Sequence, residues 1–319
     1  MPDINDVLDQ LLRMQRQQSF AIASLSKQID NLQWELDFKE IAELDKHRIP
    51  GPPPANTLAQ EWQDKGNPVI FTVYTFVPKG LDMSKKHPMV VYIHGGVHSD
   101  FRSGSGHIIK ELLQEGYIVV SPDYRGSTGY GETFFKLIDY GGLEVEDTFA
   151  ARNWAVDHFS SIVDPNRVGI LGWSHGGLHT LFNIYYHPEA YQVAYAGVPV
   201  SDLIARMGYK NPGYQSNFSA DYHIGQTAAQ NPAEYRRRSP AWHAELLQTP
   251  LLIHTNTNDE DVNCLEVEHL IKALKAAGKD FEYRIYENEP GGHVFNRIDT
   301  PDAVASRKEI YAFLARYLK

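Results

Sequence analysis

The sequence predicts an α/β protein, a mostly parallel sheet with helices on both faces, preceded by an N-terminal helical extension. Three observations predict it. From residue 69 onward, short apolar runs alternate with helix-forming stretches to the end of the chain, the pattern of strands joined by crossover helices. Gly172-Trp173-Ser174-His175-Gly176-Gly177 stands between an apolar run and a helix start, which is where such a sheet presents a reactive side chain. Residues 1–48 lack glycine, carry proline only at position 2, and are rich in Gln, Leu and charge, a composition that favours helix.

In that N-terminal stretch Leu8, Leu11, Gln15, Gln18, Ile22, Leu25, Ile29, Leu32 and Leu36 follow alternating steps of three and four. Such spacing is a heptad seam, with two glutamines in its first half. The other reading is an amphipathic helix packed on its own domain, with Ser19 or Ser24 marking a break. The helix must stop by Ile49-Pro50-Gly51-Pro52-Pro53-Pro54, because proline lacks the amide donor and clashes with a preceding turn. Three segments are therefore expected: 1–48 helical, 49–70 a proline-rich lead-in, and 71–319 the catalytic domain.

Strands are expected over Val69–Val77, Met89–Tyr92, Tyr117–Ser121, Val168–Leu171, Tyr195–Val200, Leu251–His254 and Phe281–Tyr286, with helices including Leu143–His158, Leu265–Ala277 and Ala303–Tyr317. Residues 202–245 interrupt the alternation with many Tyr, Asn and polar positions. They read as a helical excursion over the sheet edge or as an irregular connection.

A serine in Gly-x-Ser-x-Gly sits on a tight turn that only small flanking residues allow, lifting its hydroxyl above the sheet. It needs a base, and the base needs an acid to orient it. In this architecture both follow the serine, acid first. The polar loop Thr255–Asp261 follows one predicted strand, and Glu287–Phe295, containing His293, follows the next. Both lie past strand ends, on the edge where open parallel sheets bind ligands. The amide of His175 and the loop Tyr92-Ile93-His94-Gly95-Gly96-Val97 are the candidate oxyanion donors, since glycines let amides approach an oxygen closely.

Tyr124-Arg125-Gly126-Ser127-Thr128-Gly129-Tyr130-Gly131-Glu132, Gly172–Gly177, Asn258-Asp259-Glu260-Asp261-Val262 and Gly292-His293 together resemble the catalytic domain of the prolyl oligopeptidase family, over about Phe71 to Lys319. The resemblance implies an α/β-hydrolase fold and a serine peptidase, with some relatives acting as esterases. Carried over by position, it implies a triad of Ser174, Asp259 and His293, selecting Asp259 over Glu260 and Asp261. The family's prolyl oligopeptidase uses a tyrosine hydroxyl as an oxyanion donor; here His94 precedes the two glycines, which favours a backbone amide from Gly96 or Val97. The family's peptide-binding arginine is replaced by Asp261, and the paired tyrosines of its proline pocket are missing. Trp173, Tyr209 and Tyr214 remain as aromatic candidates for contacting substrate.

At 319 residues and 42% hydrophobic content, the chain can bury a full core. A formal charge of −10 argues against nucleic-acid binding, which needs clustered cations; Arg236-Arg237-Arg238 reads as a solvated face. A single cysteine, Cys264, excludes an intrachain disulfide and favours a reducing compartment. No apolar run is long enough to span a membrane and no signal peptide is visible, so a cytoplasmic protein is expected. His94, His98, His107, His175, His179 and His254 do not fall in a spacing such as His-Glu-x-x-His, so neither metal nor cofactor is expected. Asp123 and Arg125 are expected to brace their loop as an ion pair, and Glu132 to be structural.

These readings converge on a serine hydrolase working through an acyl-enzyme. With Asp261 in place of an arginine and no room for a β-propeller before residue 50, an esterase of small or medium acyl esters is expected first. A peptidase or acylaminoacyl hydrolase of short peptides is second, and a non-catalytic binding module third. A homo-oligomer joined through the N-terminal helices is expected.

Overall fold

The computed structural model describes residues 3–55 and 67–319. Its strands are β1 (Ala42–Pro50), β2 (Ile70–Pro78), β3 (His87–Ile93), β4 (Ile118–Asp123), β5 (Val163–Trp173), β6 (Val193–Gly197), β7 (Leu251–Asn256) and β8 (Glu282–Tyr286). Its α-helices are α1 (Ile4–Phe38), α2 (Gly106–Gln114), α3 (Gly131–Phe135), α4 (Leu143–His158), α5 (His175–Tyr186), α6 (Leu203–Tyr209), α7 (Pro212–Phe218), α8 (Pro232–Arg237), α9 (Cys264–Ala276) and α10 (Pro301–Leu318). The strands form one sheet in the order β1-β2-β4-β3-β5-β6-β7-β8. β1 and β2 pair antiparallel, β2 pairs antiparallel with β4, and all later pairings are parallel.

The central strands are buried on both faces, so they read as continuous apolar runs: Met89–Ile93 and Val168–Trp173 have no exposed member. One face packs Val91, Ile170, Leu178, Leu181 and Ile253 under α4, α5 and α9. The other packs Val90, Leu171, Trp173 and Leu314 with Trp34 and Phe38 of the N-terminal helix. The 202–245 excursion is helical, containing α6, α7, α8 and a further 3₁₀ turn. Among the described residues, no helix is long and apolar enough to cross a membrane.

The N-terminal segment departs from expectation in two ways. The helix is continuous through Ser19 and Ser24 but ends at Phe38, and after a three-residue turn Ala42–Pro50 forms β1. Ala42 and Ile49 turn inward, while Glu43, Asp45, Lys46 and Arg48 face outward, as suits a charged edge strand that resists pairing with another chain. The boundary expected at residue 48 therefore falls inside a strand. The proline-rich stretch is also fastened: Pro52 O accepts from Arg125 Nη2 at 2.7 Å, and the Gly51 amide bonds Val69 O.

Helix α1 is anchored by aromatics and one cation. Trp34 stacks on Phe101 with ring centroids 4.6 Å apart, and both are fully buried. Lys27, itself buried, places Nζ 2.7 Å from Asp123 and 3.1 Å from Asp100 and donates to Phe101 O. Burial is the largest single influence and favours the neutral amine, but Asp123, Tyr74 and Asp100 together outweigh it and hold the ammonium form above the ordinary lysine range. Asp123 and Arg125 thus do not pair with each other. Asp123 takes Lys27, and Arg125 takes Asp147 at 2.7 Å, because the turn between them sends their side chains to different layers.

Removing one partner of a buried ion pair strands the other charge in a low-dielectric interior. Lys27→Met is expected to lower folding stability by about 3–5 kcal/mol, read as a reduced urea midpoint with an unchanged slope.

Candidate active site

The carboxyl ends of β3, β5, β7 and β8 deliver the predicted groups to one edge of the sheet. Ser174 joins β5 to α5 with φ 60° and ψ −121°, a backbone state costing a non-glycine residue about 1–3 kcal/mol. The turn survives because its neighbours have no side chains. A Cβ on Gly172 would lie 2.4 Å from Gly176 O, and one on Gly176 would lie 2.3 Å from Ile93 O. The Ser174 carbonyl then accepts from the amides of Gly177 and Val200, at 2.9 and 3.1 Å.

The loop after β3 packs against this turn. A Cβ on Gly95 would meet Trp173 O at 3.0 Å, and Gly96 has φ +78°. Gly96, Val97, Ser174 and His175 line one cavity of about 250 Å³. The His94 side chain turns away from it: the ring stacks on Tyr124 at 4.3 Å and Nε2 meets Ser127 Oγ at 3.2 Å. A side chain held that way cannot donate into the cavity, which leaves the backbone amides as the candidate donors there.

His293 lies on a 3₁₀ turn after β8, and its Nδ1 is 2.7 Å from Oδ2 of the buried Asp259. The other carboxylate oxygen, Oδ1, accepts from the amides of Asp261 and Val262, at 2.8 and 2.9 Å. Asp259 is thereby aimed, and Glu260 and Asp261 are not at Nδ1. His293 Nε2 sits 3.6 Å from Asp261 Oδ2, and no hydrogen bond joins it to Ser174 Oγ in this arrangement. Catalytic hydrogen bonds of this kind commonly tighten only around substrate.

The aromatic candidates separate. Tyr214 lines the Ser174 cavity. Tyr209 is held outside it, its hydroxyl on Glu266 and its ring partly exposed. Trp173 is not a substrate contact: it is buried against Tyr195, with Nε1 donating to Asn296 Oδ1 at 3.0 Å. As the residue directly before the serine, at the end of an extended strand, it points to the opposite layer.

Sequence reasoning missed Arg206. This buried residue of α6 lines the cavity, donating to Tyr214 Oη at 2.7 Å and to Asp261 Oδ1 at 3.0 Å. Its remaining bonds go to Tyr209, Asp261 O and Glu266, which leaves an Nη2–H without a partner among the described residues. Lys210 also reaches Asp261. The acid at position 261 is therefore neutralised by cations from α6 and its C-cap. The presence of two basic residues beside two tyrosines in an otherwise unassigned stretch was the available signal.

Tyr140, Phe218 and His223 also line the cavity. Several surrounding histidines are buried, and burial disfavours their charged form. His98, stacked on Phe135 at 3.5 Å, is pushed down to about 4 by burial, partly opposed by its bond to Gly126 O. Away from the cavity, His254 of β7 is pushed down to about 3 by burial and by Arg284.

Comparisons with known proteins bear on the family and the fold. The profile of the prolyl oligopeptidase family matches residues 104–319. An uncharacterized peptidase of Bacillus subtilis is 30% identical over 70% of this chain and 33% of its own length. The acylamino-acid-releasing enzyme of Arabidopsis thaliana is 28% identical over 72% of this chain and 30% of its own. Dipeptidyl aminopeptidase BIII of Pseudoxanthomonas mexicana is 29% identical over 72% and 33%. The chain thus spans about a third of the length of the curated relatives it matches. Among solved structures, a puromycin-hydrolyzing peptidase of Mycobacterium tuberculosis superposes with TM-score 0.69 at 26% identity, covering 87% of this chain and 39% of that one. The acylaminoacyl peptidase of Pyrococcus horikoshii has the same fold, with TM-score 0.72 at 19% identity over 89% and 43%.

The buried histidines make stability depend on pH. Below the ordinary histidine value of ~6.5 the unfolded chain takes up protons that the folded His98 and His254 refuse, so stability rises with pH through this window. Unfolding in urea at pH 7 and at pH 5 is expected to show a lower midpoint at pH 5. His98→Asn and His254→Asn are each expected to remove about 1–2 kcal/mol of that difference.

Proposed function

The chain belongs to the prolyl oligopeptidase family of serine hydrolases, and from that premise we propose that it is a serine peptidase of short peptides, N-acylated ones included. Ser174 is the nucleophile, His293 the base and Asp259 the group that orients the imidazole. His293 Nε2 takes the Ser174 proton as Oγ attacks the scissile carbonyl carbon. The oxyanion is held by the amide of His175 and by an amide of the Gly96–Val97 loop, placed where negative charge develops. His293 then protonates the leaving amine, and water repeats the sequence on the acyl-enzyme to release the acid and restore Ser174.

This ranking reverses the one drawn from sequence, where an esterase came first because Asp261 stands at the position of the family's arginine. One observation carries the reversal: Arg206 lines the Ser174 cavity and bonds Asp261, so a guanidinium with an N–H to spare faces the substrate space from another helix. Peptide carbonyls suit such a donor, and Tyr214 fixes its plane. The named peptidase relatives support the same choice.

We further propose that the chain forms a two-fold dimer through α1. Leu8, Leu11, Ile22, Leu25, Ile29, Leu32 and Leu36 are each more than half exposed, while Lys27, Trp34 and Phe38 are buried against the hydrolase. One helix thus carries two apolar faces, and the docked face supports the reading that the other belongs to a second copy, because closed symmetry covers identical stripes.

Two measurements test these readings. With equal enzyme, N-acetyl-aminoacyl p-nitroanilides and p-nitrophenyl acyl esters are both expected to turn over. Ser174→Ala should lower kcat by roughly 10⁶ and Asp259→Asn by roughly 10⁴, with Asp261→Asn costing far less. Ester turnover with no cleavage of any peptide or anilide would restore the esterase ranking. Light scattering at micromolar concentration is expected to give a dimer mass, and Leu25→Glu with Leu32→Glu a folded monomer; a monomeric wild type would refute the dimer.

A further inference from the structure

We propose that Glu144, His175 and His179 form a zinc site directly beneath the nucleophile turn. Glu144 is the second residue of α4, and His175 and His179 are the first and fifth residues of α5. A spacing of four puts both imidazoles on one face of that helix. All three side chains are fully or almost fully buried. The sequence test asked for histidines and acid on a single helix; here the acid arrives from a different one.

The three inward atoms define the site. His175 Nε2 and His179 Nε2 are 3.1 Å apart. Glu144 Oε1 lies 3.7 Å from the first and 3.9 Å from the second. The point equidistant from all three atoms lies about 2.1 Å from each, which is the zinc–nitrogen and zinc–oxygen bond length. Hydrogen bonding accounts for only one of the three contacts, since the carboxylate is beyond hydrogen-bond distance of either ring. Two imidazoles and one carboxylate are a familiar zinc donor set, and they disfavour calcium and magnesium, which take oxygen ligands.

The surroundings hold two of the three ligands as a metal site requires. His179 Nδ1 is 3.0 Å from Thr148 Oγ1, and the Glu144 carboxylate accepts from the amides of Gly141 and Gly142. Such outer partners fix ring orientation and ligand basicity. The rings of Tyr124 and Tyr140 lie against His179 and His175, with centroids 4.2 and 4.4 Å apart. His175 Nδ1 is buried with no hydrogen-bond partner, and zinc on Nε2 would leave the proton on Nδ1. The ion would clamp the first turn of α5, one residue from Ser174, to the start of α4. It is distinct from the Ser174–His293–Asp259 constellation, and its test does not depend on activity.

The experiment uses the full chain, incubated with zinc chloride, desalted and analysed by elemental mass spectrometry. About one zinc per chain is expected, as for a closed site whose binding is coupled to folding. Cobalt(II) in its place should give the visible d–d absorption of a low-symmetry site with nitrogen ligands. His179→Gln and Glu144→Gln should each reduce the retained metal at least tenfold, and a strong chelator should lower the wild-type Tm. If a variant fails to fold, the wild-type protein still decides. Folded wild type that retains no zinc after desalting and gives no cobalt band overturns the site. Zinc retained undiminished in both folded variants also overturns it, by placing the metal elsewhere.

Discussion

The close approach of β5 and α5 at the Ser174 turn is the constraint from which the active edge follows. Gly172 and Gly176 touch backbone to backbone, and Gly176 also lies against the end of β3. With side chains at either position, α5 would stand away from the sheet and Ser174 would have no reason to hold a positive φ. Once α5 is seated, the amide of His175 faces the cavity, the Ser174 carbonyl caps the Gly177 and Val200 amides, and the loop after β3 packs on the turn through Gly95. One backbone contact thus sets the position of the hydroxyl, of both amide sources and of the helix that carries His179.

Around that turn, buried cations from distant parts of the chain fasten the loops. Lys27 of α1 binds the Asp100 and Asp123 carboxylates, and Asp123 Oδ1 also accepts the Phe101 amide at 2.6 Å. The N-terminal helix is thereby tied to the segment that follows the Gly96–Val97 loop. Arg125 ties the proline-rich stretch to α4 through Asp147, and Arg307 of α10 ties the segment after His293 to Glu111 of α2. Each of these side chains would be costly to bury alone; paired, they give each loop one arrangement rather than several.

Arg206 shows the same device at the wall of the Ser174 cavity. Its guanidinium is ringed by Tyr209, Tyr214, Asp261 and Glu266, so the pocket wall is polar yet internally neutralised. Asp261, which from the sequence read as an unfavourable acid beside a peptide, is instead part of the support for a cation. A residue's effect on a pocket depends on its net electrostatic partner, and that partner lies 55 positions away.

The sequence by itself determined the sheet's strands from β2 to β8, the helices α4, α9 and α10, the serine turn, and the order of acid and histidine behind it. These depend on local period, on glycine, and on motif order along one chain, all of which are written in neighbouring residues. It also determined the heptad stripe of α1. Tertiary structure alone decided the rest. Ala42–Pro50 is a strand because β2 offers it an edge, although its charges carry no strong strand signal. Trp173 is core because the strand's alternation sends it to the layer opposite Ser174. Asp123 paired with Lys27 rather than Arg125, Arg206 entered the Ser174 cavity, and Glu144 met His175 and His179, because packing the helices on the sheet brings together side chains whose separation in sequence hides any relation between them.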